Sequence, residues 1–103
     1  MNFEINKDKL EQIIFKYLDN KNYDIKENDK EYVFLEKGTD YIVIMVDKSL
    51  LSCSINDELI QELKSFFSVR YQFVDEVIVK YLEGVLNMKI NDSFIFLQAK
   101  FWD

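Results

Sequence analysis

The 103-residue chain contains no histidine and no proline, one cysteine and two glycines, and each scarcity removes a class of chemistry. Without histidine the usual acid/base residue of neutral pH is missing, and so is the commonest nitrogen ligand for zinc, copper or haem. Gly38 and Gly84 stand too far apart to write a P-loop or a dinucleotide fingerprint. Cys53 has no second cysteine with which to pair, so no intrachain disulfide is expected and nothing argues for an oxidising compartment. An enzyme made from this chain would have to work with carboxylates, lysines, tyrosines, serines or one thiol. No cofactor and no bound transition metal are expected.

Long hydrophobic runs are absent as well. The longest apolar stretch, 41–46, is far too short to cross a bilayer, and residues 1–10 carry charges where a signal peptide would be apolar. A soluble cytoplasmic protein that does not engage membranes is the expectation. What the chain does have is 49% hydrophobic residues, well outside the range of disordered chains, so it is read as one globular domain over 1–103.

Basic charge is in short supply, with 13 lysines and arginines against 19 aspartates and glutamates and a net charge of -6. Binding nucleic acid directly requires a basic stripe that releases counterions. Here Lys7, Lys9, Lys16, Lys21, Lys26 and Lys30 are interleaved with Asp8, Glu11, Asp19, Asp24, Glu27 and Asp29, which argues against a direct nucleic-acid ligand. The same balance suits a basic protein partner through steered association.

Asn6 is placed to cap a first helix, with Ile5 and Leu10 as its hydrophobic staple. Leu10, Ile13, Ile14, Tyr17 and Leu18 then recur at the spacing of one helical face. From residue 23 the pattern shortens to extended pieces separated by polar turns, giving strands at 23–26, 31–37, 40–47 and 50–55. The strand after Gly38 is apolar on both faces and is expected to be central. Asn56 or Asp57 caps a second helix bearing Leu59, Ile60, Leu63, Phe66 and Phe67. The stretch 68–74 reads either as two helices with a break near 68–71 or, from the alternation of Val69, Tyr71 and Phe73, as a short strand before a helix from Val74; the break is preferred because one helix of about thirty residues is long for a small domain. A final strand runs over 94–102. The expected fold is α+β, an antiparallel sheet of four to five strands with an N-terminal helix and two further helices, in the order α-β-β-β-β-α-α-β.

Four groups of residues bear on chemistry. Asn20, Asn22, Asp24, Asn28 and Glu31 fall at ligand positions of a calcium loop, but Ile25 occupies the place where that loop needs glycine, and a polar connection explains the segment better. Asp75, Glu76 and Glu83 are the densest carboxylates near apolar residues; opposite an apolar helical stripe they are expected to be solvated, not acid/base catalysts. Cys53, sharing a strand face with Leu51 and Ile55, reads as a small buried hydrophobe because no histidine is available to activate it. The aromatics Tyr32, Phe34, Tyr41, Phe94, Phe96 and Trp102 are grouped with Val43 and Met45 on one sheet face, with Val33, Leu35, Ile42, Ile44, Val46, Ile95 and Leu97 on the other. Either helices cover both faces or one face is an interaction surface with aromatic anchors.

These features point to a small acidic, non-enzymatic protein-binding module: an inhibitor, immunity protein or antitoxin-like factor of a phage or mobile element. It would occlude the basic surface of a partner such as a nucleic-acid-processing enzyme, with Asp75, Glu76, Glu83, Tyr32, Phe34, Phe94, Phe96 and Trp102 as candidate interface residues. The alternatives are a homodimeric acidic chaperone or adaptor, and a small enzyme using carboxylates or Cys53.

Overall fold

A computed structural model describes residues 6–97. Eight elements follow one another: α1 (Lys7–Asn20), β1 (Asp24–Glu27), β2 (Glu31–Leu35), β3 (Ile42–Asp47), β4 (Ser52–Asn56), α2 (Asp57–Phe67), α3 (Tyr71–Leu86) and β5 (Asp92–Phe96). The order is the one expected. Asn6 caps α1 by accepting the Asp8 N–H at 2.8 Å, which satisfies one of the orphan donors of the first turn. Its proposed staple partner Ile5 and the tail of the last predicted strand, including Trp102, lie outside the described residues.

The strands line up as β1-β2-β3-β4-β5, with β3 in the centre. Polar side chains close the turns between them. Asn28 accepts the N–H groups of Lys30 and Glu31 between β1 and β2, and Asp47 accepts those of Ser49 and Leu50 between β3 and β4. Between β2 and β3, Gly38 takes φ +75°, the left-handed conformation that costs glycine least.

The first four strands are antiparallel, but β5 runs parallel to β4, so the sheet is mixed rather than wholly antiparallel. The connection decides this. A hairpin would return the chain beside the end of β4, whereas α2 and α3 return it beside its beginning, where the Asn91 N–H donates to the Leu51 carbonyl at 2.7 Å. The break between the two helices falls at Ser68, left-handed at φ 53°, and α3 begins at Tyr71 with no strand between it and α2.

Paired residues across the sheet share a face. Phe34, Ile44, Ile55 and Ile95 form one row, and Tyr32, Val46, Cys53 and Ser93 the next. Register slips between Phe34 and Leu35, where β3 carries one extra residue. Such a bulge turns two consecutive side chains the same way, and Val43 and Ile44 both enter the core. On this face sit all three helices: Ile14 and Leu18 of α1, Leu59, Ile60 and Leu63 of α2, and Val74, Val77, Ile78, Tyr81 and Leu82 of α3 belong to one buried cluster with the strand residues. Burying each of the larger side chains contributes about 1.5–3 kcal/mol.

The expected stripe of α1 is rolled by part of a turn. Ile13 is exposed, while Glu11 is buried and meets Lys80 of α3 at 2.9 Å. Phe66 likewise faces outward, with its ring tilted against Tyr17 and edge-on to Phe67. Among the described residues no helix covers the second sheet face, which carries Val33, Leu35, Ile42, Met45, Ser54, Phe94 and Phe96. No helix in this part of the chain is long and apolar enough to cross a membrane.

Candidate interface at the β5 edge

Along α3, residues 75, 76, 79, 80 and 83 recur every three or four positions and so share one side of the helix. That side faces the segment leading into β5, and the two enclose a cleft of about 350 Å³. Asp75, Glu76, Glu83 and Asp92 line it, with Lys80 the one cation. The three candidate carboxylates of α3 are therefore brought together, although they are not equivalent. Asp75 and Glu83 are half-buried and structural: Asp75 accepts the Ser93 hydroxyl at 2.7 Å, and Glu83 accepts the Ile90 N–H at 2.9 Å. The expectation that all three are plainly solvated is corrected for these two, because β5 packs against their side of the helix. Glu76 is exposed, 3.5 Å from Lys7, and Asp92 is exposed as well. Lys80 holds its proton more firmly than a free lysine, first through its hydrogen bond to Glu11.

Beyond this cleft β5 becomes apolar. Phe94 is 58% exposed, Ile95 39% and Leu97 82%, the densest run of exposed large apolar side chains in the described chain. Phe96 is half-buried. Alternation along the strand sends Phe94 and Phe96 to the face opposite the helices, and Ser93 and Ile95 to the helical side.

The remaining aromatic candidates do not join this surface. Phe34 is 1% exposed and packs in the core, with Tyr23 edge-on to its ring. Tyr32 lies on the helical side, half-buried beneath the Lys48 ammonium, which stands 4.7 Å from the ring centre. Placing Tyr32 and Phe34 with Phe94 and Phe96 on one face is thus corrected: they occupy opposite faces, because Ser54, not Cys53 or Ile55, is the partner of Phe94. Asp92, Ser93, Ile95 and Leu97 join the surface although the sequence reading does not single them out as interface residues. The alternation of 92–97 beside the carboxylates of α3 is the signal that points to them, once β5 is begun at Asp92 and not at Phe94.

Cys53 lies in the core, and burial pushes its thiol up to about 12, with Asp75 and Glu83 adding to the shift. It stays a neutral thiol at physiological pH and lacks the thiolate that a nucleophile needs. In the 20–31 segment Asn28 spends its side-chain oxygen on the turn. Among the described residues no three acidic, cysteine or histidine side chains converge as metal ligands. Comparison with models of known families, with characterised proteins and with solved structures returned no match to this chain.

Proposed function

We propose that the protein is a binding module that occludes a basic surface of another protein, acting as an inhibitor, immunity protein or antitoxin-like factor. One observation carries the reading: the exposed apolar run of Phe94, Ile95 and Leu97 continues directly into a cleft with four carboxylates and one lysine. Exposed apolar residues of this size supply the anchors of an interface. Flanking charge of one sign steers a partner of the other sign and raises its association rate. With -6 on 103 residues the whole chain reinforces the local field.

The test is affinity capture from the source cell followed by binding kinetics. A captured partner should be basic at the contact, and its association rate should fall several-fold between about 50 and 500 mM salt as the screening length shortens. Glu76→Lys and Asp92→Lys, both at exposed positions, should slow association while leaving the fold intact. Phe94→Ala should mainly speed dissociation. An association rate indifferent to salt and to both reversals would end the proposal.

A further inference from the structure

The two edges of the sheet are built differently. On β1 all four residues are exposed, and three of them, Asp24, Lys26 and Glu27, are charged. Asp24 takes the Gly38 N–H at 2.9 Å and Glu27 pairs with Lys48 at 2.6 Å. Charged side chains on an edge strand are the usual guard against pairing with another chain. Strand β5 has no such guard. From Ser93 to Leu97 no residue is charged, and among the described residues only β4 pairs with it, leaving alternate N–H and C=O groups of the outer edge open.

We infer that an extended segment of the partner adds to the sheet as a sixth strand beside β5, seating a lysine or arginine in the cleft of Asp75, Glu76, Glu83 and Asp92. This rests on the reading of the protein as a module for a basic partner, and it specifies how that partner is held. Main-chain pairing supplies affinity in such additions, and pockets for alternate side chains supply specificity. Asp92 and Leu97 are five strand steps apart, about 17 Å at 3.3 Å per residue. The segment therefore has a polarity: its basic end lies at Asp92 and its apolar end along Phe94 to Leu97. Charge selects this occupant over a second copy of the chain, whose own β5 carries Asp92 and no lysine or arginine to seat in the cleft. Asp75 and Glu83 each bind one intramolecular donor, and a carboxylate has lone pairs left for a cation.

Capped ten-residue peptides of alternating valine and threonine, with two lysines at one end, test the inference against the intact protein. Three companions complete the set: the same peptide N-methylated at every second residue, in each of the two phases, and a version with glutamate for lysine. Titration followed by amide exchange should show the lysine peptide binding and protecting the outer amides of 92–97 by tenfold or more. One methylated phase should bind like the parent and the other at least tenfold more weakly, because only one phase turns its N–H groups toward β5. Asp92→Lys should weaken the lysine peptide several-fold.

Equal binding of both phases, with no protection of the β5 amides, would overturn strand addition while leaving a basic partner in place. Equal binding of the glutamate peptide would remove the basic partner as well. No binding by any peptide overturns the inference, since backbone pairing and charge require no particular side-chain sequence. Protection of the same amides in a dimer of the protein alone would overturn it in favour of a second copy.

Discussion

Removing the Glu83 carboxylate should loosen β5 before it disturbs the core. After α3 the chain reverses through Asn87 in the left-handed conformation, and the buried Ile90 then finds Glu83 as the acceptor for its N–H at 2.9 Å. In Glu83→Ala that N–H loses its acceptor, and a hydrogen bond to a charged group is worth about 1.5–3 kcal/mol. Relief of repulsion from Asp75, Glu76 and Asp92, less the lost attraction to Lys80, returns part of this, on the order of 0.5 kcal/mol after salt screening in a largely aqueous cleft. The net loss is then about 1–2.5 kcal/mol, or a drop in Tm on the order of 10 °C for a domain of this size. Glu83→Gln keeps an acceptor oxygen and removes the charge, so it should lose less than about 1 kcal/mol. Urea denaturation at an unchanged m-value measures the two variants, and amide exchange shows whether Ile90 and the β5 residues are released first. Equal destabilisation by Ala and Gln, or an Ala variant as stable and as protected at Ile90 as the parent, would refute the role assigned to this carboxylate.

The Cys53 thiol, raised to about 12 by burial, should resist a disulfide reagent at pH 8 in the native protein and react fully once denatured; rapid native labelling would contradict its position in the core. Stability should fall above about pH 10: burial raises Tyr23 and Tyr81, the latter also through its bond to Asp19, and protonated groups whose folded pKa exceeds the unfolded value stabilise below the unfolded value and cease to as pH rises. Urea midpoints compared at pH 7 and 11 measure that loss, and an unchanged midpoint would contradict it. Leu82→Ala empties a fully buried position between α3 and the sheet and should cost about 2–5 kcal/mol by denaturation.

Residue periodicity carried the element order because each element repeats at its own spacing over several residues, and the helix break was legible from the length of the pattern around Ser68. Three features required information that spacing does not hold. Alternation within one strand says which side chains share a face, but not which of two faces meets the helices, so it groups Phe34 with Phe94 although they lie on opposite sides. The bulge opposite Phe34 breaks alternation outright by sending Val43 and Ile44 inward together. The direction of β5 depends on where a connection of two helices delivers the chain, a tertiary fact fixed by contacts such as Asn91 to Leu51. Burial of Glu11 has the same origin: Lys80, sixty-nine residues away, makes an inward carboxylate tolerable and rolls Ile13 outward.

The acidity of the candidate site and the integrity of the β5 edge depend on the same side chains. Asp75 and Glu83 supply two of the four negative charges of the cleft and also hold Ser93 and Ile90, the residues that position the strand. Replacing them to neutralise the cleft would therefore alter the edge, which is why charge is better changed at Asp92 and at Glu76, whose ion pair with Lys7 is exposed and worth little. The coupling also runs from ligand to fold. A cation seated among these carboxylates would offset their mutual repulsion, and a strand laid along β5 would occupy its open N–H and C=O groups. Both effects favour the folded edge over a detached one. A partner bound only to this ordered edge would then stabilise it by RT ln(1 + [L]/Kd), about 2.7 kcal/mol at a hundred times Kd. That gain is comparable to the loss calculated for Glu83→Ala, so a saturating partner that engages the other three carboxylates should restore much of the stability that this substitution removes.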